Sequence, residues 1–100
     1  MPTITATVVE TRSSADVPFF EMSDEVKAHR KSNYIDTGII LFGKITYSDD
    51  QLQKTFIQVF INNESRLTYL NDPVFVAFRE QKEAHNTQNN IEANITFTTE

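Results

Sequence analysis

The stretch Tyr34–Asn62, YIDTGIILFGKITYSDDQLQKTFIQVFIN, decides the fold. It holds two apolar runs, Gly38–Tyr47 and Gln53–Asn62, parted by the polar segment Ser48-Asp49-Asp50-Gln51. Ser and Asp favour turns because their side chains bond to nearby backbone. The β-branched and aromatic residues on either side suit a pleated surface. The pattern therefore predicts a β-hairpin. In the first strand Ile39, Leu41, Gly43, Ile45 and Tyr47 alternate with Ile40, Phe42, Lys44 and Thr46. In the second, Thr55, Ile57, Val59 and Ile61 alternate with Phe56, Gln58 and Phe60. Both faces are apolar, so both need covering. Gly43 within a strand marks a bulge, a bend or a close backbone approach.

Upstream, Thr3–Thr11 alternates Ile4, Ala6 and Val8 against Thr3, Thr5 and Thr7, the period of a strand. Val9 breaks the alternation and suggests a bulge there. Arg12–Pro18 reads as a loop. Phe19–Met22 reads as an extra turn or packed entry to a helix over Asp24–Ser32, with Ser23 as its N-cap. Downstream, Leu67, Leu70, Val74, Phe78 and Gln81 or Lys82 recur at helical spacing. Asp72-Pro73 interrupts them, since Asp caps a helix start and Pro suits its first position. Two helices are predicted, Glu64–Leu70 and Pro73–His85, followed by a polar loop Asn86–Asn90. Ile91–Thr99 closes the chain as a strand, with Ile91, Ala93, Ile95 and Phe97 on one face.

The order β-α-β-β-α-β is the split βαβ pattern of an α+β, ferredoxin-like fold: a four-stranded antiparallel sheet with helices on one face. At 100 residues the chain is expected to form one domain, residues 1–100. Two helices cover one sheet face only, and the other must be polar or meet a partner. We expect a homodimer, sheet against sheet, with Phe42, Phe56 and Phe60 at the interface. A one-residue slip in register would exchange the faces and put Ile39, Leu41, Ile57 and Val59 there instead.

Composition excludes several functions. No cysteine is present, so disulfides and thiolate chemistry are absent. A formal charge of −5 disfavours nucleic acid as a partner, because phosphate contacts need clustered Lys and Arg. The cluster Lys27-Ala28-His29-Arg30-Lys31 suits the last turn of a helix instead. No run approaches a membrane span, and the N-terminus has no signal-peptide pattern, which points to a cytoplasmic location. With only Gly38 and Gly43 no phosphate-cradling loop exists, and no nucleophile elbow is present. Asp49-Asp50 reads as a solvated turn, and no metal-ligand spacing occurs.

The element order, the length, the aromatic hairpin and the helix pair split at Asp72-Pro73 resemble the dimeric α+β barrel superfamily. Its small members include antibiotic-biosynthesis-monooxygenase-like proteins and small dimeric ferredoxin-like proteins from marine environmental sequence. The resemblance implies facing sheets in a dimer and a pocket between sheet and helices. In that superfamily the pocket supports cofactor-free oxygenation or haem degradation. The lack of Trp counts against the haem-degrading branch.

The reading is a binding or assembly module. The alternative is a cofactor-independent, monooxygenase-like enzyme acting on a small apolar ligand. No cofactor and no metal are expected. A pocket would be lined by Phe19, Phe20, Phe42, Phe75 and Phe78. His29, Tyr34 and His85 are the candidate catalytic groups, although each His sits where it would cap a helix end. Arg79, Glu80, Lys82 and Glu83 read as a solvated helix face, with Arg79–Glu83 spaced as an i,i+4 pair.

Overall fold

A computed structural model describes residues 2–99, and strand β1 (Ile4–Thr11) runs through its centre. β1 pairs antiparallel with β3 (Gln53–Phe60) on one side and with β4 (Glu92–Thr99) on the other. The register is continuous from Ile4↔Phe60 to Thr11↔Gln53, so no bulge forms at Val9, which pairs with Thr55. Strand β2 (Ile40–Tyr47) takes the edge beside β3, giving the order β2-β3-β1-β4. This is the antiparallel sheet of a ferredoxin-like α+β fold.

Helices α1 (Asp24–Arg30), α2 (Asn63–Asn71) and α3 (Pro73–Asn89) lie on one face of the sheet. Each start is capped, at Ser23 and Asp72 as the sequence predicts and at Asn62, which starts α2 one residue earlier than expected. Ser23 Oγ accepts from the Val26 N–H, Asn62 Oδ1 from the Ser65 N–H and Asp72 Oδ1 from the Val74 N–H. Phe19–Met22 forms no helical turn; it enters α1 in extended form with Phe19 buried. α1 ends at Arg30, and a single π-helical turn, Lys31–Ile35, carries the chain on.

α3 is one turn longer than the polar composition of Asn86–Asn90 suggests. Asn90 adopts the left-handed conformation, φ 56°, that Asn tolerates better than most residues. The N–H groups of Asn90 and Ile91 both bond back to the Asn86 carbonyl, which ends the helix.

Sheet register separates the two faces. A bulge between Ile40 and Phe42 adds one residue to β2. Ile40 therefore lies opposite Phe60, but Phe42 pairs with Val59, and Gly43, Ile45 and Tyr47 pair with Gln58, Phe56 and Lys54. This corrects the two alternating sets expected for the hairpin. Ile40, Phe56 and Phe60 face the helices, and Phe42 stands on the outer face with Val59, Ile57 and Thr55. Phe60 is 1% exposed and Phe42 is 52% exposed. Of the three residues expected at a dimer interface, only Phe42 lies on the uncovered side.

The core gathers Ile4, Ala6, Ile40 and Phe60 from the sheet with Tyr34, Tyr69 and Phe75 from above. Tyr69 stacks on Phe75 at 4.0 Å between ring centroids and meets Phe60 and Tyr34 edge-on at 5.2 and 5.1 Å. Burying Phe60 and Phe75 stabilises the fold by about 1.5–3 kcal/mol each.

Candidate ligand cavity

Aromatic packing concentrates at one end of the helix layer, under Tyr34, Tyr69 and Phe75, and leaves a cavity of about 320 Å³ beyond it. Phe20, Phe78, Phe56 and Leu70 supply its apolar walls. Phe20 and Phe78 lie 5.5 Å apart, ring to ring. Phe75 also borders the cavity. Phe19 sits apart, beneath the Arg12 guanidinium at 4.3 Å and 6.4 Å from Tyr47. Phe42 is on the other side of the sheet. Of the five Phe expected around a pocket, Phe20, Phe75 and Phe78 meet there, and Phe19 and Phe42 do not.

Charged residues reach the same space from four elements. β1 contributes Glu10 and β3 contributes Lys54, opposite one another in register. α1 contributes Arg30, and α3 contributes Arg79 and Lys82. The solvated-face reading of α3 is therefore corrected for Arg79 and Lys82, while Glu80 and Glu83 are exposed as expected. Arg79 forms no ion pair with Glu83 among the described residues; its Nη2 donates to the Leu70 carbonyl, and its Nη1 is buried without a partner. Burial pushes the Lys82 ammonium towards losing its proton, Lys54 and Arg79 push the same way, and Glu10 opposes them. Asn86, buried near the end of α3, donates to Glu10 Oε2 at 3.4 Å and leaves its own Oδ1 unpartnered.

Gly43 explains how Arg30 enters. A Cβ at position 43 would lie 2.9 Å from Arg30 Nη2. With no side chain there, the guanidinium lies against β2 and donates twice to Gln58 Oε1, at 2.8 and 2.6 Å. It also stands 5.5 Å over the Phe56 ring. The strand glycine thus marks a close approach, and the bulge lies two residues before it. Burial raises the Tyr69 hydroxyl above its usual range, against the opposing influence of Gln58 and Arg30.

The histidines lie outside this cavity. His29 Nε2 and the Tyr34 hydroxyl both donate to Asp72 Oδ2, each at 2.7 Å. Asn33 Nδ2 faces His29 Nδ1 at 3.2 Å and also donates to the His29 carbonyl. His85 repeats the arrangement. Its Nε2 donates to the Pro18 carbonyl at 2.7 Å, and Asn89 Nδ2 faces its Nδ1 at 3.4 Å while donating to its carbonyl. In both cases an Asn four residues on holds the ring with Nε2–H outward. The repeated His-x-x-x-Asn spacing was the available sequence signal. Each ring nitrogen is engaged, so these residues fasten α1 to the α2–α3 junction and α3 to the Pro18 loop. Neither histidine caps a C-terminus as the sequence suggested.

Burial, followed by the hydrogen bond to Asp72 and its charge, holds the Tyr34 hydroxyl well above its ordinary pKa. Burial also raises the Asp72 carboxyl, but hydrogen bonds from His29, Tyr34 and the Val74 N–H outweigh it and hold the carboxyl below its ordinary value. The depression above Tyr34 and Asp72 is wide and open to solvent, without the enclosing walls of the cavity. No group of three or more His, Asp or Glu that could hold a metal occurs among the described residues. No helix among them is long and apolar enough to cross a membrane.

No protein-family model matches this chain, and no curated protein sequence matches it. Solved structures do. SnoaB, a cofactor-independent oxygenase from Streptomyces nogalater, superposes with a TM-score of 0.68 at 14% identity, covering 100% of this chain and 94% of that one. A dimeric ferredoxin-like protein from an uncultured marine organism gives 0.61 at 8% identity, covering 100% and 96%. A candidate antibiotic biosynthesis monooxygenase from Deinococcus radiodurans gives 0.57 at 12% identity, covering 95% and 89%. At these identities the likeness carries the fold alone: the chain has a ferredoxin-like α+β fold.

Proposed function

We propose that this protein binds a small aromatic or apolar molecule in the cavity between its helices and its sheet. The cavity itself carries the reading. It encloses about 320 Å³, its walls come from Phe20, Phe56, Phe78 and Leu70, and a few polar groups converge on it. That combination is typical of small-molecule sites. A fully packed helix–sheet interface would have left no room for a ligand. The test is a titration with 2-naphthol followed by amide NMR. Shifts centred on Phe20, Met22, Leu70 and Phe78 are expected. Shifts centred on Phe42, Thr55 and Val59, or none, would overturn the reading.

The protein works as a homodimer in this reading, packed through the outer sheet face. Thr5, Thr7, Val9, Thr55, Ile57, Val59 and Phe42 form a surface that no helix of the chain covers. The dimeric ferredoxin-like protein of similar fold supports it.

A second reading, cofactor-independent oxygenation of the bound molecule, is favoured by Lys82. Its amine is pushed towards the neutral form beside an apolar ligand space, where it can accept a proton. Removing a proton from a phenol or an acidic C–H leaves the electron-rich anion that reacts with oxygen. SnoaB, of the same fold, is a cofactor-independent oxygenase. Oxygen uptake with dihydroxynaphthalene above the uncatalysed rate, lost in Lys82→Met, is the expected result. Uptake unchanged in that variant would remove Lys82 from the chemistry.

A further inference from the structure

The basic residues of this acidic chain are distributed unevenly. The sequence has nine Lys and Arg against fourteen Asp and Glu. Five of the nine line the cavity, namely Lys27, Arg30, Lys54, Arg79 and Lys82. Among the described residues only two acids do, Glu10 and Glu21. The cavity therefore carries a formal excess of three positive charges inside a protein of net charge −5.

Ordinary ion pairing does not account for them. The two ion pairs among the described residues, His29–Asp72 and Lys31–Asp36, involve none of these five cations. Lys54 is only 7% exposed, so its charge is largely withdrawn from water. Arg79 Nη1 is buried and makes no hydrogen bond. Arg30 is held by the neutral Gln58 amide and the Phe56 ring, which leave its charge uncompensated. A buried charge without a counter-charge is unfavourable, and the unpaired Arg79 Nη1 adds to that.

We propose that the cavity is built for an aromatic anion, a planar ring system bearing a carboxylate, enolate or phenolate. The ring lies between Phe20, Phe56 and Phe78, and the anionic group meets Lys54, Arg79 and Lys82. This rests on the reading of the cavity as the ligand site, and it names the ligand's charge. It holds with Lys82 neutral as well, because four cations then still face two carboxylates. Glu10 is the one acid directly opposite Lys54, so it sets how strongly an anion is held.

A matched pair of probes tests the charge apart from the site. 2-Naphthoate and 2-naphthamide have nearly the same shape and differ in charge. Titrated into the intact protein at low salt, the naphthoate is expected to bind about tenfold more tightly or better. That preference should shrink in Lys54→Met and Lys82→Met, and grow in Glu10→Gln. The opposite response of Glu10→Gln separates a charge effect from a general loss of structure. Equal affinity for the two probes, or a preference for the amide, would overturn the anion while leaving the cavity as a ligand site. Binding of neither probe would overturn both.

Discussion

Glu10 and Lys54 face each other directly across β1 and β3, both almost wholly buried, and yet they form no ion pair. Glu10 turns towards Asn86 on α3, and Lys54 extends to within 5.8 Å of the Phe19 ring. Antiparallel pairing brings opposed residues close enough to meet, so their separation depends on what surrounds them. Lys82 approaches from α3, where the Glu10 carboxylate favours its charged form and Lys54 and Arg79 oppose it. Replacing Glu10 alone removes the buried carboxylate that favours the charged form of Lys82. Glu10→Gln is expected to lower stability by about 1–3 kcal/mol. The double variant Glu10→Gln/Lys54→Met removes one charge of each sign and should recover most of that loss. Urea unfolding of the single and double variants measures it. A double variant as unstable as the sum of the two singles would show that the residues do not share one charge cluster.

Gly43→Ala tests the seat of Arg30. The added Cβ meets Arg30 Nη2, the far end of a flexible side chain, which can move aside. Alanine also restricts the unfolded chain, which favours the folded state by about 0.4–1 kcal/mol where the backbone permits it. Stability should therefore change by less than about 1 kcal/mol. The guanidinium, however, must leave Gln58 Oε1. The expected outcome is an unchanged melting temperature with a changed affinity for naphthoate. A large fall in melting temperature would mean that the contact with Gln58 holds the fold rather than the cavity.

The hairpin, the helix caps and the break at Asp72-Pro73 were legible because each follows from local chemistry. A polar turn, a capping side chain and a proline act within a few residues of themselves. The faces of β2 were not legible. One bulged residue at Leu41 shifts every later side chain to the other side, and Phe42 carries no mark of it. Arg79 was equally hidden, and Lys82 was legible only as the alternative to Gln81 at the end of the stripe of Leu67, Leu70, Val74 and Phe78. On a helix the two cations look like solvent-facing charges, and only tertiary packing turns them inward over a void. The histidines misled for the reverse reason. His29 and His85 suggest chemistry by residue type, and their partners are Asp72, forty-three residues away, and the Pro18 carbonyl, sixty-seven away. A cavity lined by Phe20, Lys54 and Lys82 is a product of sheet order, which no single segment encodes.

Phe42 carries the dimer prediction. It is 52% exposed on the outer sheet face, beside Val59 and across the bulge from the core. Burying a Phe side chain stabilises by about 1.5–3 kcal/mol, and a two-fold interface buries it twice. Phe42→Lys replaces that gain with two like charges near a symmetry axis. Sedimentation should show a dimer for the native chain and a monomer for the variant at the same micromolar concentration. Phe56→Lys offers a contrast, since Phe56 faces the helices and its replacement should disturb the cavity. A native chain that sediments as a monomer would remove the sheet interface from the proposal.

Asp72 gives the pH dependence. One carboxylate oxygen receives His29 and Tyr34, and the other caps α3 through the Val74 N–H. Its folded pKa lies below the ordinary value of 3.8. Protons therefore bind it more readily in the unfolded chain. Its contribution is fully present above about pH 4 and is lost as pH falls through the depressed folded value. Asp72→Asn keeps an N-cap and a hydrogen-bond acceptor but no charge. At neutral pH it should lower stability by about 1–3 kcal/mol, since bonds to a charged acceptor are the stronger kind. In acid the native carboxyl is itself protonated, so the two proteins should converge. Urea unfolding at about pH 7, 4 and 2.5 follows the difference. A gap that stayed constant across that range would assign the loss to helix capping alone, and His29 and Tyr34 would no longer account for the depressed carboxyl.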